Sequence, residues 1–167
     1  MNTEATPVLI LGGTGHYGSR ISKSLLAKGE AVRVLTRNPD RAREILGNTP
    51  DIISGDITSA ESVRTALDNA KAVIICVSAM SWANIKRIRQ IERDGVLSVL
   101  EEAKTAGVNR VVYTSGYEIR EDFLVQMKMR EFGEIKLEIE ATLANSDLNW
   151  TILGCAPSME LFFAFLR

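Results

Sequence analysis

The chain begins with an apolar run that passes directly into a glycine-rich turn. The run is Val8-Leu9-Ile10-Leu11, and the turn is Gly12-Gly13-Thr14-Gly15-His16-Tyr17-Gly18. Ile21 and Leu25 follow at helical spacing. An apolar run too short for a helix, followed by a glycine turn and then a helix, is typical of strand, phosphate loop and helix. This stretch therefore predicts the opening of a dinucleotide-binding fold.

Glycines in this turn have separate physical roles. Gly12 allows a sharp turn off the strand, Gly15 removes a side chain where the backbone approaches a pyrophosphate, and Gly18 lets the helix pack closely on the sheet. The free N–H groups and the positive dipole end of the helix would face the anion. The loop supplies these candidate cofactor-binding residues: Gly12, Thr14, Gly15, His16, Tyr17 and Gly18.

Strand and helix patterns alternate along the rest of the chain without a linker. Predicted strands cover 31–36, 51–54, 72–77, 110–114 and 150–153, and predicted helices cover 39–46, 59–69, 84–106 and 122–145. Right-handed crossovers place helices on both faces of a parallel sheet. The alternation predicts a doubly wound α/β Rossmann fold in three layers, with strand order 3-2-1-4-5-6. Its 167 residues fit one domain over 1–167.

Net charge and hydrophobic content narrow the classes of molecule that could be the main binding partner. The formal net charge is -1 and 46% of the residues are hydrophobic, which favours neither nucleic acid nor a membrane surface as the main partner. The charged segment 86–94 carries isoleucines at helical spacing, so we interpret it as a solvated helix face rather than a nucleic-acid patch. The polar N-terminus has no signal-peptide pattern, and we therefore expect a cytoplasmic protein.

The cysteines and the histidine form no pattern of a metal site or a catalytic triad. Cys76 and Cys155 have no cysteine or histidine nearby at metal-ligand spacing, and we expect them to be buried, reduced thiols. His16 is the single histidine of the chain and lies in the glycine turn, so no histidine is left to form a catalytic triad. The sequence predicts no metal site.

The end of the second strand bears on the choice of cofactor. NAD-binding proteins of this fold carry an acidic residue about twenty positions beyond the glycines, where it holds the ribose 2′-hydroxyl. This chain has Thr36-Arg37 at that place. A guanidinium can pair with a 2′-phosphate, which a carboxylate would repel. The sequence favours NADP(H) over NAD(H), with Arg37 as discriminator and Arg41 or Arg33 as helpers; the alternative for Arg37 is a solvated turn residue.

Further cofactor-binding candidates follow the third and fourth strands. Asp56 stands where a carboxylate can accept a hydrogen bond from an adenine amino group, although a turn residue or a helix cap fits that position equally well. Ile57 is the next residue along. Val77 and Ser78 end the fourth strand at the carboxyl edge, where ligands of open α/β sheets bind and small side chains leave room for a ribose.

Five short motifs, spread over almost the whole chain, resemble those of one known protein family. They are Leu11-Gly12-Gly13-Thr14-Gly15-His16-Tyr17-Gly18, Thr36-Arg37-Asn38-Pro39, Gly55-Asp56-Ile57, Tyr113-Thr114-Ser115-Gly116 and Leu148-Asn149-Trp150-Thr151-Ile152-Leu153. Together they resemble the NmrA-like, NAD(P)H-binding type of atypical short-chain dehydrogenase/reductase. The resemblance implies an NADP(H)-binding Rossmann domain. It leaves the chemistry open, because that family contains reductases, epimerase-like enzymes and redox-sensing regulators.

The resemblance also implies a catalytic set. Active members carry a serine or threonine after strand 5, with a tyrosine and a lysine one turn apart on the next helix; the tyrosine moves the substrate proton. Thr114 and Ser115 match the first element, and Lys136 matches the lysine, which holds the nicotinamide ribose. Ser115 and Lys136 are thus the candidate catalytic residues. Phe132 occupies the place of the tyrosine, and a phenyl ring has no proton to transfer.

Other groups could supply the missing proton. Tyr113 and Tyr117 lie near the same edge, although we expect Tyr113 in the core and Tyr117 on a loop, and Lys136 itself is a third candidate. The alternative for Lys136 is a surface lysine paired with Glu140. The sequence predicts an NADP(H)-binding oxidoreductase-like protein with an unidentified small substrate, or else a non-catalytic NADP(H)-binding redox sensor or regulator.

The last residues depart from the family pattern. Gly154-Cys155-Ala156-Pro157 replaces the Arg-Pro pair of many relatives, and the substrate-binding portion that follows it there is short or absent here. Segment 159–166 is strongly apolar. It fits a last helix packed on the sheet, a contact with a second copy or a regulatory partner, or the end of a shortened chain.

Overall fold

A parallel sheet forms the centre of the computed structural model, which describes residues 6–79, 84–116 and 130–156. Its strands are β1 Val8–Leu11, β2 Val32–Thr36, β3 Asp51–Ser54, β4 Ala72–Ile75, β5 Arg110–Gly116 and β6 Asn149–Cys155. They lie in the order β3-β2-β1-β4-β5-β6, and all neighbouring strands are parallel. The predicted Rossmann order is confirmed.

Helices connect the strands. Those of the described residues are α1 His16–Ala27, α2 Pro39–Leu46, α3 Ala60–Leu67, α4 Gly95–Thr105 and α5 Arg130–Ala144. α1 and α2 pack on one apolar cluster of the sheet, and α3, α4 and α5 pack on the other. Leu9 and Leu11 of β1 enter the second cluster, whereas Val8 and Ile10 enter the first. β1 is therefore buried on both faces, which explains its unbroken apolar sequence.

Local sequence explains where two of the helices begin. Asn38 caps α2, because its side-chain oxygen accepts a hydrogen bond from the Arg41 N–H at 3.0 Å. Pro39 occupies the first turn of that helix, where a missing N–H costs no hydrogen bond. Ser59 caps α3 by accepting a hydrogen bond from the Ser62 N–H at 3.3 Å. Both helices therefore begin shortly after the carboxyl ends of β2 and β3.

The single long helix predicted over 84–106 is wrong in its first half. Ile85–Arg87 forms a short 3-10 turn and Arg89–Asp94 forms a π-helix, so regular α-helix begins only at Gly95. π-helical turns are rare and occur frequently at functional sites.

Burial in this segment also departs from the sequence interpretation. Ile85, which helical spacing assigns to the inward face, is exposed, while Ile88 and Ile91 are buried. Glu92 is 1% exposed, so segment 86–94 is not simply a solvated face. A buried carboxylate needs a partner, and its partner lies on α5.

Several predictions concern residues outside the described ranges. These are Tyr117, the part of the predicted 122–145 helix before Arg130, and the apolar segment 159–166. Within the described ranges, no helix combines the length and the apolar character that a membrane crossing requires.

Candidate functional site

A cleft of about 340 Å³ opens at the carboxyl ends of β1, β2, β3 and β4. Strand order reverses between β1 and β4, and open α/β sheets bind their ligands at such a switch point. Most of the predicted cofactor-binding residues line the cleft: Gly12, Thr14, Gly15, His16, Tyr17, Arg37, Asp56, Ile57, Val77 and Ser78. The fold thus brings together residues that lie far apart in sequence.

Two glycines make the close approach of loop, helix and sheet possible. Gly12 has φ +79°, and a Cβ there would lie 2.5 Å from the carbonyl oxygen of Cys76. At Gly18 a Cβ would overlap the carbonyl oxygen of Gly12. Any side chain at either position would push the loop away from β4 or α1 away from the loop. The predicted roles of both glycines agree with this geometry.

The N-terminus of α1 opens into the cleft. Gly15 is the N-cap residue and supplies no side-chain cap, and no acidic residue lies in the first turn of this fully described helix. His16 and Tyr17 of that turn line the cleft. A helix N-terminus without an acidic side chain presents the positive end of the helix dipole, which suits an anion. This end of the cleft fits the pyrophosphate of a dinucleotide.

Tyr17 ties the glycine loop to the end of β6. Its hydroxyl donates a hydrogen bond to the carbonyl oxygen of Ala156 at 2.9 Å. The Tyr17 ring also packs edge-on against the His16 ring, with 5.0 Å between centroids. Both aromatic side chains are therefore held at the cleft wall by contacts of their own.

Arg37 and Asp56 face each other on the β2–β3 side of the cleft. Nη1 of Arg37 lies 4.0 Å from Oδ2 of Asp56, and the Arg37 side chain is 54% exposed. Oδ1 of Asp56 accepts hydrogen bonds from the N–H and the hydroxyl of Thr58, each at 2.9 Å. Asp56 is thus a turn residue that precedes α3, while its second oxygen remains directed to Arg37. The loose pair leaves the guanidinium within reach of a ligand in the cleft.

The helper residues predicted for Arg37 do not join it at the cleft. Arg33 is wrong as a helper, because its Nε donates to Oδ2 of Asp51 at 2.6 Å and its Nη1 donates to the Ala66 and Asp68 carbonyl oxygens. These partners lie toward the opposite edge of the sheet from the carboxyl ends. Arg41 is exposed in the first turn of α2 and is not part of the cleft wall.

Cys76 lines the cleft beside Val77 and Ser78. Burial raises the pKa of the Cys76 thiol to about 11, so the thiol stays protonated at neutral pH. Cys76 and Cys155 are both free and only partly buried, which corrects the expectation of fully buried thiols. The residues on this side of the cleft are small, as a ribose would require.

Lys136 is buried behind this side of the cleft rather than in its wall. Its Nζ lies 3.0 Å from Oε2 of Glu92, and the side chains are 5% and 1% exposed. The ammonium also lies 5.0 Å from the centroid of the Tyr113 ring and 5.3 Å from that of Phe132. The alternative interpretation, a surface lysine paired with Glu140, is wrong, because Lys136 is buried and pairs with Glu92.

Two side chains of β5 carry buried polar atoms for which the described part of the chain offers no hydrogen-bond partner. Ser115 Oγ and Tyr113 Oη are buried and have no hydrogen-bond partner within the described residues. Burial raises the pKa of Tyr113, and the nearby Glu92 carboxylate raises it further. Tyr113 is a core residue, as expected. Buried polar atoms are rarely left unpaired, so this cluster has hydrogen-bonding capacity for a ligand or for water.

Glu92 is the residue of this region that the sequence interpretation missed. It lies four residues after Ile88 and four before Val96, which both belong to the inward stripe of the predicted helix. Lys136 lies next to Ile135, four residues after Phe132, on the inward face of the following helix. Opposite charges at core positions of two successive helices are a signal for a buried pair. In the described part of the chain, no group of three or more His, Cys, Asp or Glu side chains is placed to hold a metal ion.

Comparison with known proteins agrees with this geometry. Residues 12–157 match the model of a family described as NAD(P)H-binding. The photosystem II assembly factor Ycf39 of Synechocystis is 30% identical over 153 residues, which are 92% of this chain and 45% of that protein. The chain therefore spans less than half the length of this relative.

Solved structures share the fold at low sequence identity. A Bacillus halodurans protein with the provisional name NAD-dependent epimerase/dehydratase superposes with a TM-score of 0.80 at 20% identity, over 91% of this chain and 71% of that one. The NADPH-dependent quinone oxidoreductase QOR2 of Escherichia coli, solved with NADPH, gives 0.73 at 21% identity, over 94% and 51%. At these identities the likeness concerns the fold alone.

Proposed function

The chain belongs to this NAD(P)H-binding family, and from that premise we propose that it is an NADP(H)-dependent oxidoreductase acting on a small molecule. Membership of this family implies that the chain binds a dinucleotide cofactor. The preference for NADP(H) is our inference from Arg37 in the cleft wall, and the redox reaction is our inference from Ser115 and Lys136, which are buried behind it.

The position of Arg37 is the observation that supports a preference for NADP(H). It lies at the end of β2, where a carboxylate would favour the 2′-hydroxyl of NAD(H), and its guanidinium is half-exposed at the cleft. The Asp56 pair at 4.0 Å is too long for a strong hydrogen bond, so Arg37 can turn to a 2′-phosphate at little cost. The α1 terminus would bind the diphosphate, and Val77 and Ser78 would border the second ribose.

Ser115 and Lys136 are the residues that we assign to the reacting end. A bound nicotinamide supplies or accepts the hydride. Lys136 keeps N–H donors that could hold the ribose hydroxyls or bring a proton to a substrate oxygen, the step that Phe132 cannot perform. Ser115 could hydrogen-bond that oxygen through its hydroxyl, which has no partner within the described residues.

A non-catalytic sensor is the second candidate function. The observation that favours it is Phe132, which stands one turn before Lys136 with a ring that packs near the ammonium and cannot transfer a proton. The matched relative Ycf39 carries the name of an assembly factor. A sensor would bind the oxidised and reduced cofactor with different affinities, since a ligand shifts a protein between states only through differential binding.

A turnover screen separates the two functions. The protein is mixed with NADPH and a panel of carbonyl compounds, quinones and enones, and the loss of NADPH absorbance is followed. Turnover that Lys136→Met abolishes supports the oxidoreductase. Tight NADPH binding with no turnover, and unequal affinities for NADP and NADPH, support the sensor. Equal affinities without turnover would leave neither function supported.

Two further parts of the proposal concern setting and partners. We place the protein in the cytoplasm, supported by its two free thiols, since reducing compartments keep cysteines unpaired. The apolar segment 159–166 is our proposed contact for a second copy or a regulatory partner. The small substrate is the remaining partner.

A further inference from the structure

A buried ion pair connects the π-helix to α5 behind the cleft. Nζ of Lys136 lies 3.0 Å from Oε2 of Glu92, and both side chains are almost fully buried. Two charges removed from water gain little net stability over an apolar pair of the same size. Stabilisation of the fold therefore does not explain well why a charged pair is buried here, and its surroundings indicate a second role.

The other oxygen of Glu92 holds the backbone of the cleft wall. Oε1 accepts a hydrogen bond from the N–H of Ala79 at 2.5 Å. Ala79 follows directly on Ser78, which lines the cleft, and Ile91 beside Glu92 lines it as well. One carboxylate thus fixes the segment after β4 and the lysine of α5 relative to each other.

Lys136 retains hydrogen-bonding capacity in this position. An ammonium has three N–H donors, and Glu92 faces only part of them. The faces of the Tyr113 and Phe132 rings, which accept no conventional hydrogen bond, also lie close to the ammonium. Ser115, at the same end of β5, is buried, and its hydroxyl has no partner within the described residues. In that part of the chain, Glu92 is the one acceptor facing the Lys136 donors.

We propose that Glu92 is a positioning residue for the nicotinamide half of the cofactor. It keeps the Lys136 ammonium and the Ala79 backbone in one arrangement at the ends of β4 and β5, and this inference rests on the proposed function because it needs NADP(H) in the cleft. A dinucleotide crosses the switch point between β1 and β4. Arg37 marks the adenosine half on the β2 side, so the nicotinamide half falls on the side of Glu92.

The test compares a whole cofactor with its adenosine half. NADPH and adenosine 2′,5′-bisphosphate, which lacks the nicotinamide, are titrated calorimetrically into the wild type and Glu92→Gln. The proposal expects NADPH affinity to fall about tenfold, the loss of roughly one good hydrogen bond to a charged group, with affinity for the bisphosphate unchanged. Equal weakening of both ligands, or no weakening of NADPH, would overturn it.

Glu138→Gln is the matched control. Glu138 pairs with Arg93 and so joins the same two helical segments, but at the surface, with Nη2 and Oε1 2.6 Å apart. The proposal expects this variant to bind both ligands like the wild type. A loss of NADPH affinity in Glu138→Gln equal to that in Glu92→Gln would show that any loosening of the two helices has the same effect, and would contradict a specific role for Glu92.

A double variant keeps the test decisive if Glu92→Gln alone unfolds. Glu92→Gln with Lys136→Met leaves no unpaired buried charge, so the fold is expected to survive. The proposal expects this protein to bind the bisphosphate normally and NADPH weakly. Recovery of wild-type NADPH affinity would mean that Glu92 only neutralises Lys136, which would overturn the proposal. If the wild type binds neither ligand, the proposed function itself fails, and that result is distinct from every outcome for Glu92.

Discussion

Arg37 is the residue on which cofactor choice depends. We predict that Arg37→Ala lowers affinity for NADPH by about tenfold or more and leaves affinity for NADH unchanged, because only NADPH carries the phosphate that the guanidinium would bind. Fluorescence titration of both cofactors measures the change. Arg41→Ala removes an exposed arginine of the same loop and helix that lies outside the cleft, and should alter neither affinity. Equal losses for NADPH and NADH would refute the assignment.

Gly18 is the residue on which the packing of α1 depends. We predict that Gly18→Ala lowers the free energy of unfolding by about 2 kcal/mol or more, because its Cβ would overlap the Gly12 carbonyl and the backbone must move. Gly95→Ala is the comparison, since its Cβ would lie 3.3 Å from the Ile57 side chain and 3.4 Å from the Gln90 carbonyl oxygen and would overlap neither. Urea denaturation of both variants gives the answer, and equal midpoints would contradict the steric argument.

Cys76 gives the protein an expected sensitivity to alkali. Burial raises the pKa of its thiol from 9.0 to about 11, so the thiol loses its proton at lower pH in the unfolded chain than in the folded one. Its contribution to stability is therefore complete below about pH 9 and is lost as the pH rises toward 11.

Urea denaturation at pH 8 and pH 10 tests this linkage. We predict that the wild type loses about 1 kcal/mol more than Cys76→Ala between the two values, since one pKa unit is worth about 1.4 kcal/mol. The comparison within each protein removes the cost of the substitution itself. An identical loss in both proteins would show that Cys76 is not the group responsible.

The contact between the π-helix and α5 contains one buried ion pair, Glu92–Lys136, and two exposed ones, Arg93–Glu138 and Arg89–Glu131. We predict that Glu92→Gln lowers the free energy of unfolding by about 3 kcal/mol, because it leaves the Lys136 charge buried and unpaired. Glu138→Gln should stay close to the wild type, because exposed pairs contribute little. Urea denaturation ranks the two, and the reverse order would contradict the assigned burial.

The elements also show what the sequence could predict and why. β1 and its glycine turn were predictable because a strand buried on both faces is uniformly apolar and because few residues other than glycine fit the turn. The π-helical turn within 84–106 was not, since it replaces i→i+4 by i→i+5 hydrogen bonds without a proline in the sequence to mark it. The burial of Glu92 is hidden by the neighbouring charges of Lys86 and Arg87, although Ile88 and Val96, four residues to either side, are core positions.

In the whole molecule, the alternation of strands and helices limits the possible sheet orders and therefore the possible places of the cleft. Right-handed crossovers leave only a few arrangements for such a chain, and the observed order brings the ends of four strands together. The reacting end was less predictable. Resemblance suggested Ser115 and Lys136, but their burial behind the cleft depends on side-chain packing between α5 and its neighbours, which no local pattern encodes.

Calorimetric titration of NADP, NADPH, NAD and NADH into the wild-type protein tests whether the cleft is a dinucleotide site. We predict that all four bind in one site per chain, with the two phosphorylated forms tighter by about tenfold or more, the free energy of an Arg–phosphate contact. If no dinucleotide binds, the cleft is not a cofactor site, and the glycine turn serves only to pack α1 against the sheet.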